Sequence, residues 1–160
     1  LLTVNAFTAA DSFLVPLQAE YFALEGLSQL LNTINLIKQN LNPTLKEEGI
    51  VITMYDARNR LSTEVEREVR QHFGEKVFQT IIPRNVRLSE SPSYGKPILL
   101  YDVESKGCIA YFNLARELLS RNRTAQASAR VAAASVPQPF IIDDQKIRVE
   151  TTPPAEQQLG

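Results

Sequence analysis

Apolar and polar positions alternate in two distinct rhythms along this chain. From Leu24, apolar residues recur at Leu24, Leu27, Leu31 and Ile34, and Leu30, Ile37 and Leu41 widen the stripe. That spacing predicts a helix with one buried face, closed by Asn42 and Pro43. "LSTEVEREVRQHFG" repeats the rhythm: Ser62 is the predicted N-cap, and Glu64 and Glu66 fall in the positive first turn. Val65, Val69 and Phe73 mark its buried face, and Gly74 ends it. A last helix is predicted from about Ser105 to Arg121, with Cys108, Phe112, Ala115 and Leu119 facing the core.

Between these lie short runs of strand character. Phe13 to Leu17 reads as a buried strand in which Pro16 argues for an edge position or a strand end. "GIVITMY" (49–55) is an interior strand rich in β-branched residues, "VFQTIIP" a third strand, and "PILLYD" a shorter extended segment. A short helix-compatible stretch precedes the first strand. Strands alternating with helices of this length imply βαβ units and a mostly parallel sheet, so residues 1–121 read as one α/β unit.

From Asn122 the composition turns to Ala, Ser and Pro, and the tail holds four of the nine prolines. Residues 122–160 are expected to be largely disordered, with a possible short hairpin or strand-adding motif at 140–151 around Asp143 and Asp144.

Composition narrows the function classes. With 160 residues, 44% hydrophobic and 22% charged, the chain has an ordinary globular balance. Its apolar runs fall far short of the roughly 20 residues that cross a bilayer, and no basic-then-apolar leader opens it, so the expected compartment is the cytoplasm. One cysteine and one histidine make neither an intramolecular disulfide nor a zinc-ligand cluster. A net charge of −1 leaves any nucleic-acid contact to a local patch. The chain opens on Leu1, and its single methionine is Met54, so it reads as a piece of a longer product.

Little catalytic chemistry is legible. Gly95-Lys96 is followed by proline and has no glycine five positions before Gly95, which excludes a Walker A loop in this sequence. His72 falls on the solvated end of its helix, away from any nucleophile, and Cys108 reads as a small core residue. Glu64, Glu66 and Glu68 form a solvated face, with Glu66 facing Arg70 at helical distance.

The polar residues that stand out follow two strand ends: Asp56 to Arg60 after "GIVITMY", and Pro83 to Arg87 after "VFQTII". In open parallel sheets ligands bind outside the carboxyl ends of the strands, and both sets should leave at that edge. Pro83 with Asn85 offers a rigid apolar wall beside an amide, which suits a purine base better than a phosphate. On spacing alone, Arg58, Arg84 and Arg87 read equally as ordinary loop charges.

Taken together, "FLVPLQAEYFALEGLSQLLNTI" and the run from "GIVITMYDARNRLSTEVEREV" through "IPRNVRLSESPSYGKPILLYD" to "NLARELL" resemble the C-terminal half of ParA/Soj chromosome-partitioning ATPases. The resemblance covers nearly all of residues 1–121, and "IPRNVRLSESPSYGKPILLYD" is its most specific segment. It implies part of a doubly wound parallel sheet of the P-loop NTPase type, in the deviant Walker class that also holds the MinD regulators. It further implies ATP and Mg²⁺ as cofactors, an ATP-bound homodimer, sequence-blind DNA binding on the nucleoid, and a ParB/Spo0J-like centromere-binding partner that stimulates hydrolysis.

On that pattern Met54, Pro83 and Asn85 match positions at the adenine end of the nucleotide. Arg58, Arg84, Arg87 and Lys106 match basic positions of the DNA-binding surface, which fits sequence-blind contact with phosphates. The family's phosphate and Mg²⁺ residues lie upstream of Leu1, so this chain alone is expected to be inactive. It is also expected to lack the central strands for its helices and to expose apolar surface along Phe13–Leu17 and Ile50–Tyr55. The alternatives are a MinD-like membrane-associated regulator and a non-catalytic adaptor. Against the first, residues 123–135 are too weakly apolar for an amphipathic anchor.

Overall fold

The three β-branched segments pair side by side as a parallel sheet in the order β1-β2-β3 in the computed structural model, which describes residues 1–134. The elements are α1 (Leu2–Ala9), β1 (Ser12–Gln18), α2 (Tyr21–Asn40), β2 (Lys46–Tyr55), α3 (Arg60–Phe73), β3 (Val77–Pro83), α4 (Val86–Glu90), α5 (Ile98–Tyr101) and α6 (Lys106–Ala134). Alternation of side chains along each strand sends residues to two cores. Phe13, Val15, Leu17, Ile50, Ile52 and Val77 meet Leu27 and Ile34 of α2 and Val65 and Val69 of α3 on one face. On the other, Val51, Phe78 and Ile82 meet Ala110, Leu114 and Leu118 of α6 and Leu88 of α4. A sheet covered on both faces is the doubly wound arrangement that the strand and helix alternation predicts.

The three strands are accordingly not the exposed surface expected of them. Along Phe13–Leu17 only Pro16 is exposed, and Ile50, Val51 and Ile52 are fully buried. The helices of the chain itself pack on both faces of the three strands. Within Ile50–Tyr55 only Met54 is exposed, and the other large exposed apolar side chains include Tyr21 and Phe22 of α2, Leu100 of α5, and Ile109, Tyr111 and Phe112 of α6. Pro16 sits in an edge strand of this sheet, where a missing N–H is tolerated.

Other expectations need correction. The N-cap of α3 is Asn59, whose side chain accepts from the Leu61 N–H, and not Ser62, which is buried one turn in and donates to the Ala19 carbonyl. The helix therefore starts at Arg60, and Glu64 and Glu66 lie beyond its first turn. "PILLYD" is not extended: Ile98–Tyr101 is a turn of helix that opens at Pro97, whose fixed φ of −65° suits a helix start. Cys108 is buried as expected, but Phe112, Ala115 and Leu119 point to solvent, because Ala110, Leu114 and Leu118 form the seam toward the sheet. Leu41 is exposed as the C-cap of α2. Helix α6 continues past Arg121 to Ala134, as the high helix propensity of its alanines allows. The hairpin expected at 140–151 lies outside the described residues.

Irregular pairing shapes the sheet near its ends. Pairing advances by two residues in β2, from Ile50 to Ile52, while β3 advances by four, from Val77 to Ile81. The surplus around Gln79 and Thr80 bulges toward α6. Between Ile52 and Tyr55 the surplus lies in β2 and contains Met54, at a φ of 54°.

Candidate functional site

The segments that follow β2 and β3 do leave the sheet at one edge. The Arg84 N–H donates to the Tyr55 carbonyl at 2.8 Å, which ties the end of β3 to the end of β2. Each segment then starts a helix through an asparagine: Asn59 caps α3, and Asn85 caps α4 by accepting from the Arg87 N–H at 2.8 Å. The oxygen of the Asn85 amide is thus committed to the backbone, and its NH₂ end remains for other contacts.

Two concavities open at this edge. One, of about 210 Å³, is lined by Glu20, Met54, Asp56, Asn59 and Arg84 among others. The other, of about 610 Å³, lies between the bulged strand β3 and α6 and is lined by Tyr55, Thr80, Ile81, Pro83, Lys106 and Asn113 among others. Met54 therefore shares a cavity with Arg84, and Pro83 shares one with Lys106, whereas Asn85 lines neither. The residues expected at the base end, Met54, Pro83 and Asn85, are neighbours along one edge and are not gathered in a single cavity of this chain. Their chemistry, a thioether, a proline ring and an amide, does fit the flat apolar face and hydrogen-bonding rim of a purine.

Met54 holds an unusual backbone. A β-carbon disfavours the left-handed region by roughly 1–2 kcal/mol, and Met54 is the one non-glycine residue with positive φ among the described residues. The bulge turns its side chain outward at the strand end, where it is 38% exposed. Backbone strain of this kind concentrates where a ligand is held.

The arginines are exposed but not free. Arg58 is 90% exposed and still makes two side-chain bonds to Asp56, Nε to Oδ1 at 3.0 Å and Nη2 to Oδ2 at 2.9 Å. Asp56 Oδ1 also accepts the Arg58 backbone N–H. These bonds, with Arg84 adding a smaller pull, hold the Asp56 carboxyl well below the carboxylate range, at about 2. Arg84 pairs with Glu20 at 3.3 Å. Arg87 is held by two acids, Glu90 at 3.0 Å and Asp102 at 3.3 Å. The Tyr101 hydroxyl donates to the same Glu90 oxygen at 3.0 Å, and its ring lies 5.1 Å from that of Tyr94. Arg87 first and Tyr101 second lower the Glu90 carboxyl pKa. Lys106, at the start of α6, has no acidic partner among the described residues. The four basic candidates thus stand along one edge, three of them paired with acids.

His72 is exposed, with Nδ1 2.9 Å from the Glu68 carbonyl of its own helix, as expected. Glu66 pairs with Arg70 at 2.9 Å as its spacing predicts, but both are half-buried and Arg70 also donates to the Gln79 carbonyl of β3, so this pair does not belong to a solvated face. Among the described residues no helix is long and apolar enough to cross a membrane.

Known proteins are similar to this chain in sequence and fold. Residues 1–47 match the family model described as "AAA domain". The chain is 59% identical over 129 residues to the chromosome partitioning protein ParA of Caulobacter vibrioides, a match covering 81% of this chain and 48% of that protein. It is 57% identical over 118 residues to the sporulation initiation inhibitor protein Soj of Bacillus subtilis, covering 74% of this chain and 47% of that one. Among solved structures, cobyrinic acid a,c-diamide synthase from Mycobacterium smegmatis with bound ADP and magnesium superposes with a TM-score of 0.59 at 35% identity. That match covers 78% of this chain and 43% of that one. The chain spans about half the length of the curated relatives it matches.

Proposed function

The chain belongs to the ParA/Soj family of chromosome-partitioning ATPases, and from that membership we propose that it supplies the base-binding edge and the DNA-binding surface of such an ATPase. The observation that carries this reading is the convergence of two strand ends: Met54, Pro83 and Asn85 adjoin Arg58, Arg84, Arg87 and Lys106 at the carboxyl edge of one parallel sheet.

In this reading Met54 and Pro83 flank the adenine of ATP and the Asn85 amide meets its rim. The phosphates and Mg²⁺ are held by the half of the relatives that this chain does not span, so the chain by itself does not hydrolyse ATP. ATP binding joins two copies as a homodimer, which doubles the basic edge. The edge then binds duplex DNA through phosphate contacts without reading bases, keeping the protein on the nucleoid in the cytoplasm. A ParB/Spo0J-like partner ends that state by stimulating hydrolysis.

The test is ATP-dependent binding of the full-length gene product to random duplex DNA. Binding should weaken steeply with salt, because each phosphate neutralised releases counterions. Arg58→Glu together with Arg87→Glu should abolish it; unchanged binding in that variant would remove the assigned surface.

A further inference from the structure

Resting on the reading of this edge as a DNA surface, we propose that Asp56, Glu90 and Asp102 are built-in competitors of the phosphate backbone, setting how tightly Arg58 and Arg87 hold a polyanion. Three observations support this. First, the pairs are exposed, with the Arg58 side chain 90% and the Arg87 side chain 54% accessible. Exposed ion pairs contribute little to folding, so their arrangement is poorly explained as a stability device.

Second, two of the three acids, Asp56 and Glu90, are fixed in place by bonds that do not involve the guanidinium. Asp56 Oδ1 accepts the Arg58 backbone N–H at 3.1 Å, and Glu90 Oε2 accepts the Tyr101 hydroxyl at 3.0 Å. The Asp56 and Glu90 carboxylates are therefore stationed beside their arginines even when those arginines turn away. Third, Arg87 faces two carboxylates at once, Glu90 at 3.0 Å and Asp102 at 3.3 Å. Its immediate surroundings are net negative, which a phosphate must displace or approach against.

A guanidinium already satisfied by a carboxylate gains less on meeting a phosphate, and the carboxylate left behind repels the polyanion. The edge is thereby a weak and readily reversed DNA surface: it carries arginines, yet much of their charge is cancelled within the molecule. Replacing the acids by their amides, Asp56→Asn and Glu90→Gln, keeps the fixing bonds, since an amide oxygen at either position still accepts from the Arg58 N–H or the Tyr101 hydroxyl. Charge is removed and position is kept.

The experiment compares wild type, Asp56→Asn, Glu90→Gln with Asp102→Asn, and the control Glu25→Gln with Glu68→Gln, all in the full-length gene product with ATP and Mg²⁺ on random duplex DNA. Glu25 and Glu68 are exposed and lie outside every arginine pair among the described residues. Affinity is measured across salt concentration. The expected result is several-fold tighter binding at low salt for both test variants, with the slope of log affinity against log salt steeper by about 0.9 for each arginine released. The control should change by much less. Test variants that bind no tighter than the control, in a protein whose wild-type binding is ATP-dependent and lost in Arg58→Glu with Arg87→Glu, overturn the competition while the DNA surface stands. Wild-type binding that is indifferent to those two arginines overturns both.

Discussion

Arg121 of α6 lies with its guanidinium carbon 4.1 Å from the centre of the Phe78 ring of β3, while its Nη1 and Nη2 donate to the carbonyls of Glu75 and Val77 at 2.9 Å. One turn earlier, Glu117 accepts the backbone N–H groups of Gln79 and Thr80 at 2.8 and 2.9 Å and pairs with Arg121 at 2.8 Å. A strand edge ordinarily leaves such groups open to another strand. Here one helix side chain takes two adjacent N–H groups at the bulge of β3. Glu117→Ala should destabilise the protein by about 1 kcal/mol, since two backbone donors at an exposed and a half-buried residue lose their charged acceptor, and Arg121→Ala by about 1–2 kcal/mol. The double variant should lose less than the sum, as partners in one network do; chemical denaturation of the four proteins measures the difference.

The same carboxylate gives stability a pH dependence. Burial pushes the Glu117 carboxyl up, but the bonds from Gln79, Thr80 and Arg121 outweigh it and hold the pKa below the ordinary glutamate value. A carboxyl depressed on folding stabilises the folded state above its unfolded pKa, and that contribution is lost as pH falls through the folded value. Denaturation midpoints collected from pH 7 downward should therefore fall less for Glu117→Gln than for wild type. Parallel acid limbs in the two proteins would show that Glu117 carries no such linkage.

Gly49 sits at a φ of 136°, at the irregularity where β2 gains a residue against β1. A β-carbon there would run into the Lys76 carbonyl and stand 2.9 Å from the Phe78 ring. Neither the backbone nor a fully buried ring can yield. Gly49→Ala is expected to cost at least about 2 kcal/mol, from overpacking and a φ that alanine avoids, read as a lowered unfolding temperature.

How much of this was legible follows from the range of each interaction. The strands, α2 and the edge at which Asp56–Arg60 and Pro83–Arg87 emerge follow from local periodicity and from the rule for parallel sheets. The seam of α6 was misplaced because Phe112 and Leu119 continue an apolar spacing from Cys108, and nothing local reveals that the sheet meets Ala110, Leu114 and Leu118. The cap of α3 was misplaced because serine and asparagine both cap helices, and only contact with Ala19, 43 residues earlier, shows Ser62 to be committed elsewhere. Glu117 and Arg121 stand four apart, a visible spacing, but their targets on β3 and at Glu75 just before it are 37 to 46 residues away. The acids beside Arg58 and Arg87 lie within 15 residues of them. They are close in sequence, and spacing alone does not show that they cancel much of the arginines' charge.

Gly107 brings α6 against α4. A β-carbon on Gly107 would stand 2.5 to 3.0 Å from the side-chain carbons of Leu88, next to Arg87. Gly107→Ala gains about 1 kcal/mol of helix propensity and loses about 1–3 kcal/mol to overpacking. The net loss should be about 1 kcal/mol. Because Leu88 must yield, α4 moves and carries Arg87 with it, so DNA affinity should fall further than so small a stability change explains. Equal affinity at matched folded fraction would show that α4 does not depend on this contact for its position.

Met54 separates folding from binding most directly. Its φ of 54° opposes folding by roughly 1–2 kcal/mol in a residue with a β-carbon, while glycine at the same site gives back about 0.5–1 kcal/mol through the freedom of its unfolded chain. Met54→Gly should therefore unfold no more easily than wild type, and up to about 1 kcal/mol less easily, although a side chain has been deleted. Nucleotide affinity of the full-length gene product should fall at the same time, because the thioether that the bulge turns outward has gone. A variant destabilised by more than about 1 kcal/mol would show Met54 to be a packing residue. A variant of unchanged stability and unchanged nucleotide affinity would leave the strained conformation without the ligand that its place at the strand end implies.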